Sequence, residues 1–211
     1  MGELVHFDIE IERNVEAGFL RWPEGSEADE ESGLGSNRSY SDLRGLDWSE
    51  VAETLQEEVG MLTRLIDACD MLDEYEIIEE ERYEDDGAMM GLDIGVAAAT
   101  AALSAAGCTP FASCNGGAFG DSHHEAYPLV AFCARREHVP LLLQVAEEVN
   151  AGLERTGPGD LVLYARDVRD MMSFAKTMFA RRDDFSHLRF LPSGGGEQSD
   201  GDDPTQLGLF E

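Results

Sequence analysis

Residues 93–106 read Asp-Ile-Gly-Val-Ala-Ala-Ala-Thr-Ala-Ala-Leu-Ser-Ala-Ala and are followed by Gly107. So alanine-rich a run forms helix readily, and its short side chains let a neighbouring backbone come close. Asp93 is the expected N-cap and Gly107 the expected C′ residue. Two short apolar runs follow, residues 109–113 and 129–133, separated by a Gly-rich stretch with two adjacent histidines. This pattern predicts a β-hairpin with a long loop, of a length that in compact domains usually serves a function. Pro140 opens a helix expected to run through Leu153, residues 157–160 turn, residues 161–164 form a strand, and Asp167 caps a last helix to about Arg182. The order is helix, strand, strand, helix, strand, helix. It implies an α+β fold: a small, mainly antiparallel sheet covered by helices on at least one face.

The N-terminal half is built differently. Residues 4–12 alternate apolar and acidic from Phe7 onward, the period of a half-buried strand, and the segment closes at Trp22-Pro23. Residues 23–46 carry Gly, Ser and acid with few apolar anchors, which predicts a flexible linker. Asp47 or Ser49 can cap a long acidic helix beginning near Glu50. Its apolar positions Trp48, Ala52, Leu55, Val59, Leu62, Ile66 and Cys69 step by fours and threes. That seam suits a helix lying on its own domain or an intermolecular coiled coil. The helix can extend to Tyr83, where acids at its C-terminus oppose the macrodipole and predict fraying or a break. The expected organisation is an N-terminal strand segment (1–22), an acidic linker (23–46), an acidic helical segment (47–86), an α+β core (87–191), a disordered tether (192–205) and a terminal peptide (206–211).

The formal charge is −29 over 211 residues, and it is unevenly spread. Residues 1–90 hold 27 acids against 6 bases, residues 91–192 hold 12 against 9, and residues 193–211 hold 5 against none. Such a balance argues against unaided binding of a nucleic-acid backbone or an anionic membrane. The acidic half reads either as a solvated surface or as a DNA-mimicking inhibitor. Basic residues of the middle fall in groups: Arg135-Arg136, Arg166 with Arg169, and Arg181-Arg182. No apolar run approaches the roughly 20 residues of a membrane helix, and the N-terminus lacks signal-peptide character, so a soluble cytoplasmic protein is expected. Four cysteines without export signals imply reduced thiols.

The tail carries the most specific signal. Residues 193–204 are Gly, Ser, Gln, acid and Pro, and they lead into Gln206-Leu207-Gly208-Leu209-Phe210. An apolar cluster at the end of a polar tether has the form of a linear peptide that docks into a partner's pocket. The pentapeptide resembles the motif by which bacterial polymerases and repair proteins bind the replication sliding clamp. What the resemblance implies is a polar anchor at Gln206 and apolar plugs at Leu209 and Phe210, assisted by Leu207. Gly208 stands where that motif usually has Ser or Asp. The implied role is an accessory protein of bacterial DNA replication, repair or genome defence.

Chemistry, if the domain has any, concentrates in the hairpin loop. Cys114 ends a strand beside Gly116-Gly117, and His123 and His124 follow in the same loop. These residues suit a nucleophilic thiol with a histidine base, or a metal site, zinc by donor type. Cys108 lies six residues before Cys114, about 20 Å away on a straight strand, and cannot share an ion with it. A metal would draw on Cys114, His123, His124 and a residue from elsewhere, such as Asp93 or Cys133. The strand ending Ser113-Cys114-Asn115-Gly116 is faintly similar to the Ser-Cys-Ser-Gly-Arg strand end of the wybutosine-synthesis family of tRNA-modifying proteins. Ser113, Cys114 and Gly116 match, Gly117 stands in place of the Arg, and no activity is carried over. No phosphate-binding loop, dinucleotide fingerprint or Ser-centred nucleophile elbow is present.

Overall fold

The computed structural model describes residues 4–15, 19–120 and 123–188. Four strands, β1 (Thr109–Cys114), β2 (Leu129–Cys133), β3 (Gly152–Arg155) and β4 (Leu161–Tyr164), form an antiparallel sheet in the order β1-β2-β4-β3. The helices among the described residues are α1 (Trp48–Asp67), α2 (Met71–Glu84), α3 (Ala97–Ala105), α4 (Val139–Glu148), α5 (Val168–Ala180) and α6 (Arg182–Ser186). The class is α+β. No described helix is long and apolar enough to cross a membrane.

Helix α3 is the centre of the assembly. All its residues are buried, and it packs against β1, α1 and α5. Alanine suits that position because a side chain ending at Cβ lets these elements approach closely. Its C-terminus closes as expected: Gly107 takes φ 92° and donates to Ser104 O at 2.8 Å, while Cys108 N reaches Leu103 O at 3.0 Å. Those are the two bonds of a Schellman cap. The N-terminus differs from expectation. Val96, not Asp93, occupies the N-cap position and offers no side-chain acceptor. The Glu58 carboxylate of α1 accepts instead from Gly95 N (2.8 Å), Ala97 N (3.0 Å) and Ala98 N (3.2 Å). A buried helix start must find acceptors for its backbone donors, and here another helix supplies them.

The rotation of α1 follows from that contact. Its inward face is Val51, Leu55, Glu58, Leu62 and Leu65. Of the expected seam, Leu55 and Leu62 are buried, Trp48, Val59 and Ile66 are half-buried, and Cys69 is exposed. The helix lies on α3 and α5 of its own chain. It also stops earlier than the pattern implied. Asp70 caps a separate helix, accepting from Leu72 N at 3.1 Å and Asp73 N at 3.2 Å, so α1 and α2 are two elements. Helix α2 ends at Glu84 inside the acidic stretch, where buried Arg82 binds Glu79 and Asp86 and Arg64 binds Glu74 and Glu81.

Three further expectations are corrected. Residues 4–12 form no strand; they are irregular, with Ile9 N turning back on Phe7 O at 3.0 Å, while Phe7 N donates to Arg166 O and Leu153 N to Glu12 O, each at 2.9 Å. Isolated bonds of this kind make no ladder. Residues 23–46 are not a free linker. They form short 3-10 turns, bury Ala28, Leu34 and Tyr40, and bind β1 through Asn37 Nδ2 to Phe111 O at 2.6 Å. Three anchors and local hydrogen bonds suffice where composition suggested too few. Helix α4 stops at Glu148 rather than Leu153, because Asn150 adopts φ 58° and caps it, with Ala151 N on Ala146 O at 2.9 Å. Asparagine tolerates that left-handed conformation better than most residues. The residues released become β3. One apolar core runs from Leu4 through α1 and α2 to Leu188, so the acidic helices and the sheet share an interior. The expected tether (192–205) and peptide (206–211) lie outside the described residues.

Candidate functional site

Edge strand β1 delivers the site. Pro110 sits in it beside a register shift between Pro110 and Ala112, as befits a residue with no N–H to give a ladder. The strand ends at Cys114, opposite Leu129, and the chain turns away through Asn115-Gly116-Gly117. Gly116 is at φ 70°, and a Cβ there would stand 2.4 Å from the Tyr127 carbonyl carbon, so this turn admits glycine only. The returning loop brings His123 back over Cys114.

Asp93, Cys114 and His123 converge. Their donor atoms all lie within 4.8 Å of one another. Cys114 Sγ is 3.4 Å from His123 Nδ1, and Asp93 Oδ2 is 3.4 Å from the same nitrogen. Cys114 is buried, whereas the side chains of His123 and Asp93 keep 15% and 34% of their exposure. Asp93 belongs to the turn before α3, and buried Asn115 fastens that turn to the end of β1. Asn115 Nδ2 donates to Ile94 O at 3.2 Å, its N–H to Asp93 Oδ2 at 3.3 Å, and its Oδ1 accepts from Gly117 N at 2.9 Å. Gly116 N also points at Cys114 Sγ, at 3.4 Å, and so helps to orient the sulfur. Glu58 holds the same turn from the other side through Gly95 N.

The cluster borders a cavity of about 290 Å³ whose lining includes Asp93, Cys114, His123, His124 and Glu125. A second cavity, about 240 Å³, shares Asn37, Asp93, Ala112 and Ser113 with it and continues over Tyr40, Met90 and Thr100. The charged residues lining the pair are Asp93 and Glu125, and neither cavity is lined by Lys or Arg. Such surroundings favour a cation over an anion.

Of the residues singled out in the sequence, Cys114, His123 and Asp93 are brought together. His124 is exposed and lines the cavity, outside the converging set. Cys133 pairs with Thr109 at the far end of the hairpin, beside Asp160 at 3.3 Å. Burial, then that carboxylate, push its thiol up to about 12, and burial pushes the Cys108 thiol higher still. All four cysteines are free, and these two are inert by environment. Gln206, Leu207, Leu209 and Phe210 lie outside the described residues.

The chain matches no family model, no curated protein and no solved structure.

What the cluster can do follows from its atoms. In a thiol–imidazole–carboxylate relay the base uses both ring nitrogens, one toward the thiol and one toward the carboxylate. Here both partners address Nδ1. Asn115 and Glu58 went unrecognised in the sequence. Asn before Gly-Gly does announce a side-chain-closed turn, but nothing near Glu58 announces its contact with α3.

Proposed function

We propose that this chain is an accessory protein of bacterial DNA replication, repair or genome defence, recruited to the sliding clamp by Gln206, Leu207, Leu209 and Phe210. The observation that carries the reading is the pentapeptide itself, following a polar Gly, Ser and acid stretch at the end of the sequence. A peptide of this kind concentrates a domain at DNA without the domain gripping the backbone. The disposition of the basic groups supports it. Arg166 donates to Ile9 O at 2.8 Å, Arg169 pairs with Asp167, and Arg181 with Asp184 and Gln144. Arg182 lies over the Phe179 ring and Arg135 over Trp22. Each of these arginines is engaged by a carboxylate, a carbonyl, an amide or a ring of the chain itself, which supports a reading in which recruitment goes through a protein partner.

The test is a fluorescent peptide of residues 204–211 titrated with a bacterial sliding clamp, beside a Leu209→Ala/Phe210→Ala peptide. Saturable binding weakened by about 30-fold or more in the double variant is expected. Equal binding of both peptides, or none by either, would remove the reading. The metal- or thiol-dependent alternative draws on a separate observation, the convergence of Asp93, Cys114 and His123.

A further inference from the structure

Three donors of different softness come together beside cavities whose lining holds no Lys or Arg. Their spacing can be set against the bonds a metal would make. With metal–sulfur bonds near 2.3 Å and metal–nitrogen and metal–oxygen bonds near 2.1 Å, a tetrahedral centre places sulfur and nitrogen about 3.6 Å apart and nitrogen and oxygen about 3.4 Å apart. Cys114 Sγ to His123 Nδ1 and His123 Nδ1 to Asp93 Oδ2 are both 3.4 Å. Cys114 Sγ and Asp93 complete the triangle within 4.8 Å, so an ion entering between them would have to settle that third side by small side-chain rotations. A single nitrogen facing both sulfur and carboxylate is what a common ligand position requires.

The supporting contacts match the same chemistry. Ligands of a metal are themselves held by hydrogen bonds. Asp93 Oδ2 accepts from Asn115 N, and Cys114 Sγ receives Gly116 N, so both anionic donors are oriented by the backbone of one turn. That turn is tied to the start of α3 by Asn115 Nδ2 on Ile94 O. A thiolate in the set disfavours magnesium and calcium, and a carboxylate disfavours a purely soft ion; one sulfur, one imidazole nitrogen and one carboxylate oxygen suit zinc. Three protein donors with a free fourth position form the pattern of zinc sites that bind water or substrate, whereas structural sites are closed by four.

We propose that Asp93, Cys114 and His123 form a three-donor site for zinc, or a divalent ion of the same tetrahedral preference, whose fourth position opens on the cavity beside His124. The site is independent of the clamp reading, since it uses no residue of the tail. His124 lines the cavity as a neighbour of the bound ion and is not a ligand.

The experiment uses the reduced full-length chain, stripped with a chelator and titrated with cobalt(II), then zinc. One equivalent of cobalt should give a thiolate charge-transfer band and the intense visible bands of a four-coordinate ion, and zinc should displace it. Asp93→Asn, Cys114→Ser and His123→Gln should each weaken binding by about 100-fold or more, the upper end of what even supporting residues cost. His124→Ala should change it less than about threefold, under about 0.7 kcal/mol, because His124 lies outside the converging donor set. Zinc should also slow alkylation of Cys114 by iodoacetamide, read by peptide mass spectrometry, and leave exposed Cys69 unaffected. Circular dichroism of each variant separates loss of a ligand from loss of the fold. Absence of the charge-transfer band, tight binding that survives all three ligand substitutions in folded protein, or Cys114 alkylation indifferent to zinc would overturn the proposal. Equal loss on His124→Ala would overturn the open fourth position.

Discussion

Glu58 and Asp93 both reach the turn that leads into α3, and their surroundings could hardly differ more. Glu58 has no exposed surface and spends its oxygens on the N–H groups of Gly95, Ala97 and Ala98. Burial pushes its carboxyl up to about 7, against the lowering effect of those hydrogen bonds. Asp93 keeps a third of its side chain exposed and faces His123 and Cys114 across a cavity. A carboxylate in a dry interior, saturated by backbone donors, belongs to the fold. One with an oxygen turned toward other donor atoms is available for chemistry. The cysteines repeat the contrast, with Cys108 and Cys133 silenced by burial and Cys114 met by a histidine and a backbone N–H.

The largest effect should come from Glu58→Ala. Removing the acceptor of three buried backbone donors should cost about 4 kcal/mol, read by urea denaturation. A loss under about 1 kcal/mol would mean the donors find other acceptors and the contrast with Asp93 fails. A smaller effect follows from pH. Because the carboxyl sits at about 7 in the folded chain against 4.5 ordinarily, the folded state keeps a proton that the unfolded state releases. The stability from this group is complete below the unfolded value of 4.5 and is lost as pH rises through about 7. The stability of the unsubstituted chain minus that of Glu58→Gln should therefore fall by about 3 kcal/mol across that window. A flat difference would show Glu58 ionised throughout. Asp93→Asn should be the mildest, under about 1 kcal/mol, since an amide oxygen still accepts from Asn115 N. A loss as large as that of Glu58→Ala would make Asp93 a structural residue.

Legibility followed distance along the chain. The Gly107 cap, the Asp167 cap and the proximity of Cys114 and His123 rest on neighbours close in the chain, and the hairpin strands on their own apolar runs, so each can be read from local pattern. Asp93 is legible both as a cap and as a donor to a metal, and local pattern does not choose between them, because an acid shortly before a helix looks the same whether or not it caps. The ordering of residues 23–46 was hidden for a related reason. Its anchors pack against Phe111, about seventy positions away, and composition within the segment does not record that surface.

By itself, then, the sequence determined the α+β class, the small-residue helix at its heart and the loop that carries Cys114 and His123. These depend on periodicity, caps and short spacings, which are properties of contiguous residues. The tertiary structure alone decided that Glu58 rather than Asp93 satisfies the start of α3, and that Asp93 is thereby left to join Cys114 and His123. Both outcomes hinge on which helix face meets which turn. That choice is made by packing α1 against α3, where every buried donor must be answered by an acceptor from wherever the core can supply one.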